Sequence, residues 1–291
     1  MEKSTSSALG RRTFLGLSAG GFLLAARPQR VQAAPVADLW DRWLQHEAES
    51  RYSLDHSAWD ALLKRYLVSG ADGGINRFRY AEVTAEDRDR LAQYLSALST
   101  TLISQYNRDE QFAFWLNLYN ALVVKLVIDH YPVSSIREID IAPSLFDSGP
   151  WGADLASVEE TPLSLDDIEH RILRPIWKDP RVHYVINCAA LGCPQLPAMA
   201  MTADNREAML EEAARAFINH PRGVKPTRSG LVVSRIYDWY VSDFGGYDGA
   251  LIAHFRDYAA PPLAAALAEE PSISGYDYDW SLNDARQPAS G

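Results

Sequence analysis

Asp109-Glu110-Gln111-Phe112-Ala113-Phe114-Trp115-Leu116-Asn117-Leu118-Tyr119-Asn120-Ala121-Leu122-Val123-Val124-Lys125-Leu126-Val127-Ile128-Asp129-His130 is the stretch on which the fold turns. Asp109 opens it, and Tyr131-Pro132 stops it, because the residue before a proline is driven out of the helical region. Between them the chain is apolar on nearly every side. That pattern predicts a helix at the centre of a core, not one lying half in water. Asn117 and Asn120 are three apart and share a face; Glu110, seven before Asn117, lies on nearly the same side. Buried amides need partners. They either fix the backbone of a reactive loop or orient a catalytic histidine, or they cap a neighbouring segment with no chemical role.

Outward from this helix, residues 38–50, 57–68 and 84–103 carry helical periodicity, the last opened by Thr84 with Glu86 and Asp87 in its first turn. Residues 75–80 and 155–161 predict short strands. Ser164 caps a helix to Leu173 with Asp166, Asp167 and Glu169 near its start. Residues 202–219, 236–244 and 250–258 predict further helices, 230–234 and 276–282 strands. The Pro- and Ala-rich 261–275 stretch resembles a linker but lies too near the end to divide domains. No repeat is visible. One α+β domain, mostly helical around a small sheet, accounts for the pattern.

His183-Tyr184-Val185-Ile186-Asn187-Cys188-Ala189-Ala190-Leu191-Gly192-Cys193-Pro194 holds both cysteines of the chain. Its apolar run predicts a buried strand, so His183 and Cys188 point to opposite faces. Cys188, ending an apolar run, is either a small core residue or a nucleophile. Cys193 lies between Gly192 and Pro194, which suits a helix start where a thiolate is stabilised, although Pro197 limits that helix to about a turn. Cys193 is therefore a nucleophile, half of a Cys188–Cys193 disulfide, or an inert thiol. His170, with Asp166 and Asp167 at i−4 and i−3, is a candidate base or a surface histidine. Arg181 is one of several cations that could bind an anionic group. There is no Walker loop, dinucleotide glycine fingerprint, nucleophile-elbow serine or standard zinc spacing, so no cofactor and no metal is called for.

Residues 1–33 read as a twin-arginine export signal: Gly10-Arg11-Arg12-Thr13-Phe14-Leu15, an apolar stretch too short to anchor, then Val31-Gln32-Ala33 at a cleavage position. The domain would then be 34–291, periplasmic or secreted, in contact with a membrane only during export. Twin-arginine export follows folding, so the cysteines fold as thiols and meet an oxidising compartment later. Residues 1–33 carry Lys3, Arg11, Arg12, Arg27 and Arg30 against Glu2, so their loss takes the net charge from −10 to −14. So acidic a chain is a poor partner for nucleic acid. The ligand expected is a small molecule, a peptide or a saccharide.

Phe114-Trp115-Leu116-Asn117-Leu118-Tyr119-Asn120-Ala121-Leu122, residues 165–174, residues 179–194, Asp243-Phe244-Gly245-Gly246 and Tyr278-Asp279-Trp280-Ser281-Leu282-Asn283 resemble the domain-of-unknown-function 547 family. The resemblance runs from about residue 75 to the end. It implies no settled activity. Its pattern falls on Asn117, Asn120, His170, Cys188 and the Cys193-Pro194 step. Some members, plant ones among them, have serine in place of Cys193 and lack the histidine at 183, which favours Cys188 with His170. By analogy with thiol-hydrolase folds, the chain is expected to be an exported cysteine-dependent hydrolase or acyl transferase. Cys188 or Cys193 would be the nucleophile, His170 or His183 the base, and Asn120 or Asn117 the orienter. The alternative is an envelope binding protein with a structural cysteine pair, and a thiol–disulfide protein is a third reading, disfavoured because the spacing is not Cys-x-x-Cys.

Overall fold

The computed structural model describes Met1 and residues 35–142, 149–269 and 271–285. The export-signal reading of residues 1–33 lies almost wholly outside them. The N-terminal part holds α1 (Ser57–Tyr66), the antiparallel hairpin β1 (Leu67–Ala71) and β2 (Ile75–Phe78), and α2 (Ala85–Ser99). The Thr84 hydroxyl accepts from the Asp87 N–H and caps α2 as expected.

Next comes α3 (Arg108–His130), capped by Asn107, whose side chain accepts from the Asp109 and Glu110 N–H groups. By length and composition α3 could cross a membrane, but 94% of its most apolar window is buried inside the protein. Its neighbours are α2 and a wide π-helical turn, Asp167–Leu173, entered through the hairpin β3 (Ala156–Val158) and β4 (Thr161–Leu163). Ser164 and Asp167 exchange side chain-to-backbone hydrogen bonds at the start of that turn, a reciprocal cap. The segment continues through α4 (Arg174–Trp177) and α5 (Val182–Val185) to α6 (Arg206–Ile218).

The C-terminal part adds β5 (Val224–Thr227), β6 (Gly230–Ser234), α7 (Ile236–Trp239), α8 (Asp248–Tyr258), α9 (Pro261–Ala268) and β7 (Ile273–Asp277). β6 pairs antiparallel with β5 and parallel with β7. Tyr184, Phe217, Tyr237, Phe244 and Phe255 form a second apolar cluster beside this sheet. The architecture is α+β and mostly helical, with three small sheets among the described residues.

Several local expectations change. Residues 38–50 form only a 3-10 turn, Asp41–Leu44, because Trp43 is buried while Leu39 and Leu44 stay exposed; the segment is tethered instead by Asp38 and Trp40 N–H bonds to the His170 and Arg171 carbonyls. Residues 182–185 are a helical turn and not a strand: the Ile186 N–H bonds the Val182 carbonyl, and among the described residues no strand pairs with it. A short run buried on all sides has no periodicity to separate the two forms. The linker-like stretch contains α9, where Pro261 and Pro262 occupy the first turn and Leu263 and Leu267 are buried. The late strand is β7, which starts three residues before the expected 276–282 and ends at Asp277, fixed there by parallel pairing with β6.

Candidate functional site

The cysteine loop is built by amides. The Asn120 side chain donates to the Val185 carbonyl (2.9 Å) and accepts from the Asn187 N–H (3.0 Å), so α3 grips the chain on both sides of Ile186. Asn187 accepts from the Ala189 N–H and donates to the Pro194 carbonyl. Ala189 takes a left-handed φ of 60°, uncommon without glycine, and this turns the chain back on itself. Asn117 grips Met201 in the same two-handed way, at a different segment. Glu110 accepts from the Leu54 N–H, and Arg181 pairs with Asp179 and Glu207.

The turn brings the two sulfurs within 2.8 Å as free thiols. Cys193 does not start a helix: the chain after it is irregular. Its sulfur accepts instead from the Cys188 N–H (3.0 Å) and lies 2.8 Å from the Cys188 sulfur, and the Tyr278 hydroxyl stands 3.1 Å from that of Cys188. The Arg222 guanidinium adds its charge. Burial alone would raise the Cys193 thiol; these donors bring it below the ordinary thiol range. Cys188, as the hydrogen-bond donor of the pair and buried, is pushed well above it. Both sit beneath Tyr278 and Trp280, with Trp239 against those rings at 4.8 and 5.6 Å.

Gly192 lets this cover close. Its N–H bonds the Asp279 carbonyl, and a Cβ there would stand 2.6 Å from the Asp279 nitrogen and 3.0 Å from the Tyr278 ring. Gly192→Ala is expected to cost about 1–3 kcal/mol and to displace Tyr278. Chemical denaturation and the pH dependence of Cys193 alkylation measure the two effects; an unchanged alkylation profile would show that Tyr278 does not support the thiolate.

The histidines belong to a second cluster. His183, stacked on Tyr240 at 4.1 Å, bonds Asp243 through Nε2 (2.8 Å), and its Nδ1 stands 3.9 Å from Glu169. Burial lowers its affinity for a proton, so the neutral ring donates Nε2–H to Asp243. Arg174 makes two bonds to Asp243 and donates to His170 Nδ1 (2.9 Å), which leaves the His170 proton on Nε2, towards Asp166 at 3.5 Å. His170 is buried, not the surface residue its acidic surroundings suggested. Burial pushes the Glu169 carboxyl up, but His170, His183 and Arg174 hold it below the usual range. The Tyr119 hydroxyl donates to Glu169 at 3.2 Å. A groove of 470 Å³, lined by Leu39, Lys178, Ser242 and Asp243 among others, opens beside Arg174.

Among the described residues, the hydrogen-bond partners of the sulfurs are each other, Tyr278 and backbone groups; no imidazole is among them. The sequence reading singled out Cys188, Cys193, His170, His183 and Asn120, and missed Tyr278, Asp243 and Asn187. Asn187 stood inside the cysteine stretch itself, where its strand assignment hid a turn-forming side chain.

Fold and site together define an α+β protein with a buried dithiol beside a carboxylate–imidazole–guanidinium cluster. Residues 103–218 match the sequence profile of the family described as protein of unknown function, DUF547. The match spans Asn117, Asn120, Glu169, His170, His183 and both cysteines, and stops short of Arg222, Asp243 and Tyr278. No curated protein and no solved structure matches the chain.

Proposed function

We propose that the chain is a two-electron thiol–disulfide protein, with Cys193 as attacking thiolate and Cys188 as resolving thiol. The observation that carries this is the Cys193 sulfur, which takes a hydrogen bond from the Cys188 N–H while the second sulfur waits 2.8 Å away. The Cys193 thiolate attacks an S–S or O–O bond and displaces one half of it. The Cys188 thiol then attacks the oxidised Cys193 sulfur, loses its proton and expels the bound group. The two sulfurs give up two electrons and end as a disulfide; two external thiols, themselves oxidised to a disulfide, return the pair to the dithiol. The twin-arginine motif supports an exported, periplasmic site of action, where such a pair would work against oxidants.

The hydrolase reading requires a base at the nucleophile, and both imidazoles are engaged with carboxylates or Arg174. Intact mass decides between them. The reduced protein, equilibrated in a glutathione redox buffer, is expected to become two hydrogens lighter, and Cys188→Ala and Cys193→Ala should each abolish that change. Cleavage of an ester or thioester that survives Cys188→Ala and dies in Cys193→Ala would establish the hydrolase instead. If the thiols never couple and ligand binding is indifferent to both substitutions, the pair is structural.

A further inference from the structure

Resting on the redox reading, we infer that the oxidant is a small hydroperoxide: Cys193 breaks its O–O bond, and Arg222 receives the leaving oxygen.

The first ground is room. Cys188 and Cys193 are 9% and 5% exposed, closed over by Tyr278 and Trp280. Thiolate attack on a disulfide needs three sulfurs in line, with a substituent on the far side. A peptide or glutathione disulfide would have to part the aromatic cover. Hydrogen peroxide has two heavy atoms.

The second ground is Arg222. Its guanidinium lies over the Phe217 ring at 5.3 Å, and Nη1 donates to the Leu191 carbonyl, inside the cysteine loop, at 2.8 Å. Nε and Nη2 are shut off from solvent, and among the described residues they have no hydrogen-bond partner. Buried donors left unmet are costly. Burial brings the guanidinium down to about 10, while Cys193 and Tyr278 act to hold its charge. A cation with two idle donors beside an electron-rich sulfur is a site for an oxygen that becomes negative during reaction.

The chemistry balances. The Cys193 thiolate donates an electron pair to the OH oxygen of R–O–O–H. The S–O bond forms, the O–O bond breaks, and RO⁻ departs against Arg222. RO⁻ takes a proton from the Tyr278 hydroxyl, which solvent restores, and leaves as ROH. The Cys188 thiol then displaces hydroxide from the sulfenic acid, its proton completing water, and the disulfide forms. One peroxide accepts the two electrons that the sulfurs lose.

The test uses the reduced full chain with hydrogen peroxide or oxidised glutathione at equal concentration, followed by intact mass. Peroxide should remove two hydrogens at least about 100-fold faster than the disulfide, and Arg222→Gln should slow the peroxide reaction by about 100-fold, as loss of an oxyanion donor does. Cys188→Ser should stop at one added oxygen on Cys193, trapped by a sulfenic-acid reagent. Oxidised glutathione reacting as fast as peroxide, or a folded Arg222→Gln reacting at the parent rate, overturns this inference and leaves the redox couple standing. If neither oxidant removes the two hydrogens, the couple itself fails. Should Arg222→Gln not fold, the ratio of the two rates and the Cys188→Ser product decide.

Discussion

Arg174→Leu is expected to destabilise the protein by about 3–5 kcal/mol, the range for removing one partner of a buried ion pair. The Arg174 side chain is 2% exposed, and its guanidinium serves Asp243, His170 and the Pro35 carbonyl. Leucine would leave Asp243 and Glu169 without that charge and strip His170 of its donor. Equilibrium urea unfolding measures the loss. Acid supplies a second readout. In the parent, Asp243 and Glu169 are both held below their ordinary range. Their contribution is therefore present above about pH 4 and fades as pH falls through the folded values. His183, lowered by burial, works in the same direction: its contribution is full above about pH 6.5 and declines below it. Without Arg174 the two carboxyls bind protons more readily in the folded state, so the gap between variant and parent should narrow in acid. A gap below about 1 kcal/mol, or one constant with pH, would mean that the cluster is not electrostatically coupled.

Asn120→Leu is expected to cost about 2–5 kcal/mol, because it leaves both the Val185 carbonyl and the Asn187 N–H buried and unpaired. It should also reach the chemistry. Asn187 positions the turn that aims the Cys188 N–H at the Cys193 sulfur. Loosening it should move the pH profile of Cys193 alkylation up towards an ordinary thiol. Asn117→Leu is the control: it removes an equivalent pair of bonds at Met201 and should lower stability without moving that profile. Identical profiles for the two variants would show that Asn120 has no hold on the reactive sulfur.

Much of the fold was legible where side chains report their surroundings locally. The unbroken apolar face of α3, the Thr84 cap and the Asn117/Asn120 spacing all met their expected environments. The site was less legible, because its decisive contacts are distant in sequence. Tyr278 reaches Cys188 across 90 residues, and Asp243 reaches His183 across 60. Arg222 gave no local sign of being half-satisfied; a lone arginine near a proline turn looks the same whether it is solvated or enclosed. At residues 182–186 the reasoning failed for a different cause. Burial on every side erases the alternation that distinguishes strand from helix, so an argument about faces had nothing to rest on.

The segment following β7 is the one that shuts the loop. The Ser281 and Asp279 carbonyls accept from Leu191 and Gly192, the Asn283 N–H bonds Ala189, and the Asn283 carbonyl accepts from Phe78. A ribosome makes residue 192 long before residue 283. Throughout that interval the nascent thiols are uncovered and lack their tyrosine donor. The loop can take its working geometry only after synthesis has passed residue 283, so stalled or clipped chains would display open, ordinary cysteines. Synthesis of the segment after β7 and closure of the cysteine loop are thus linked in time.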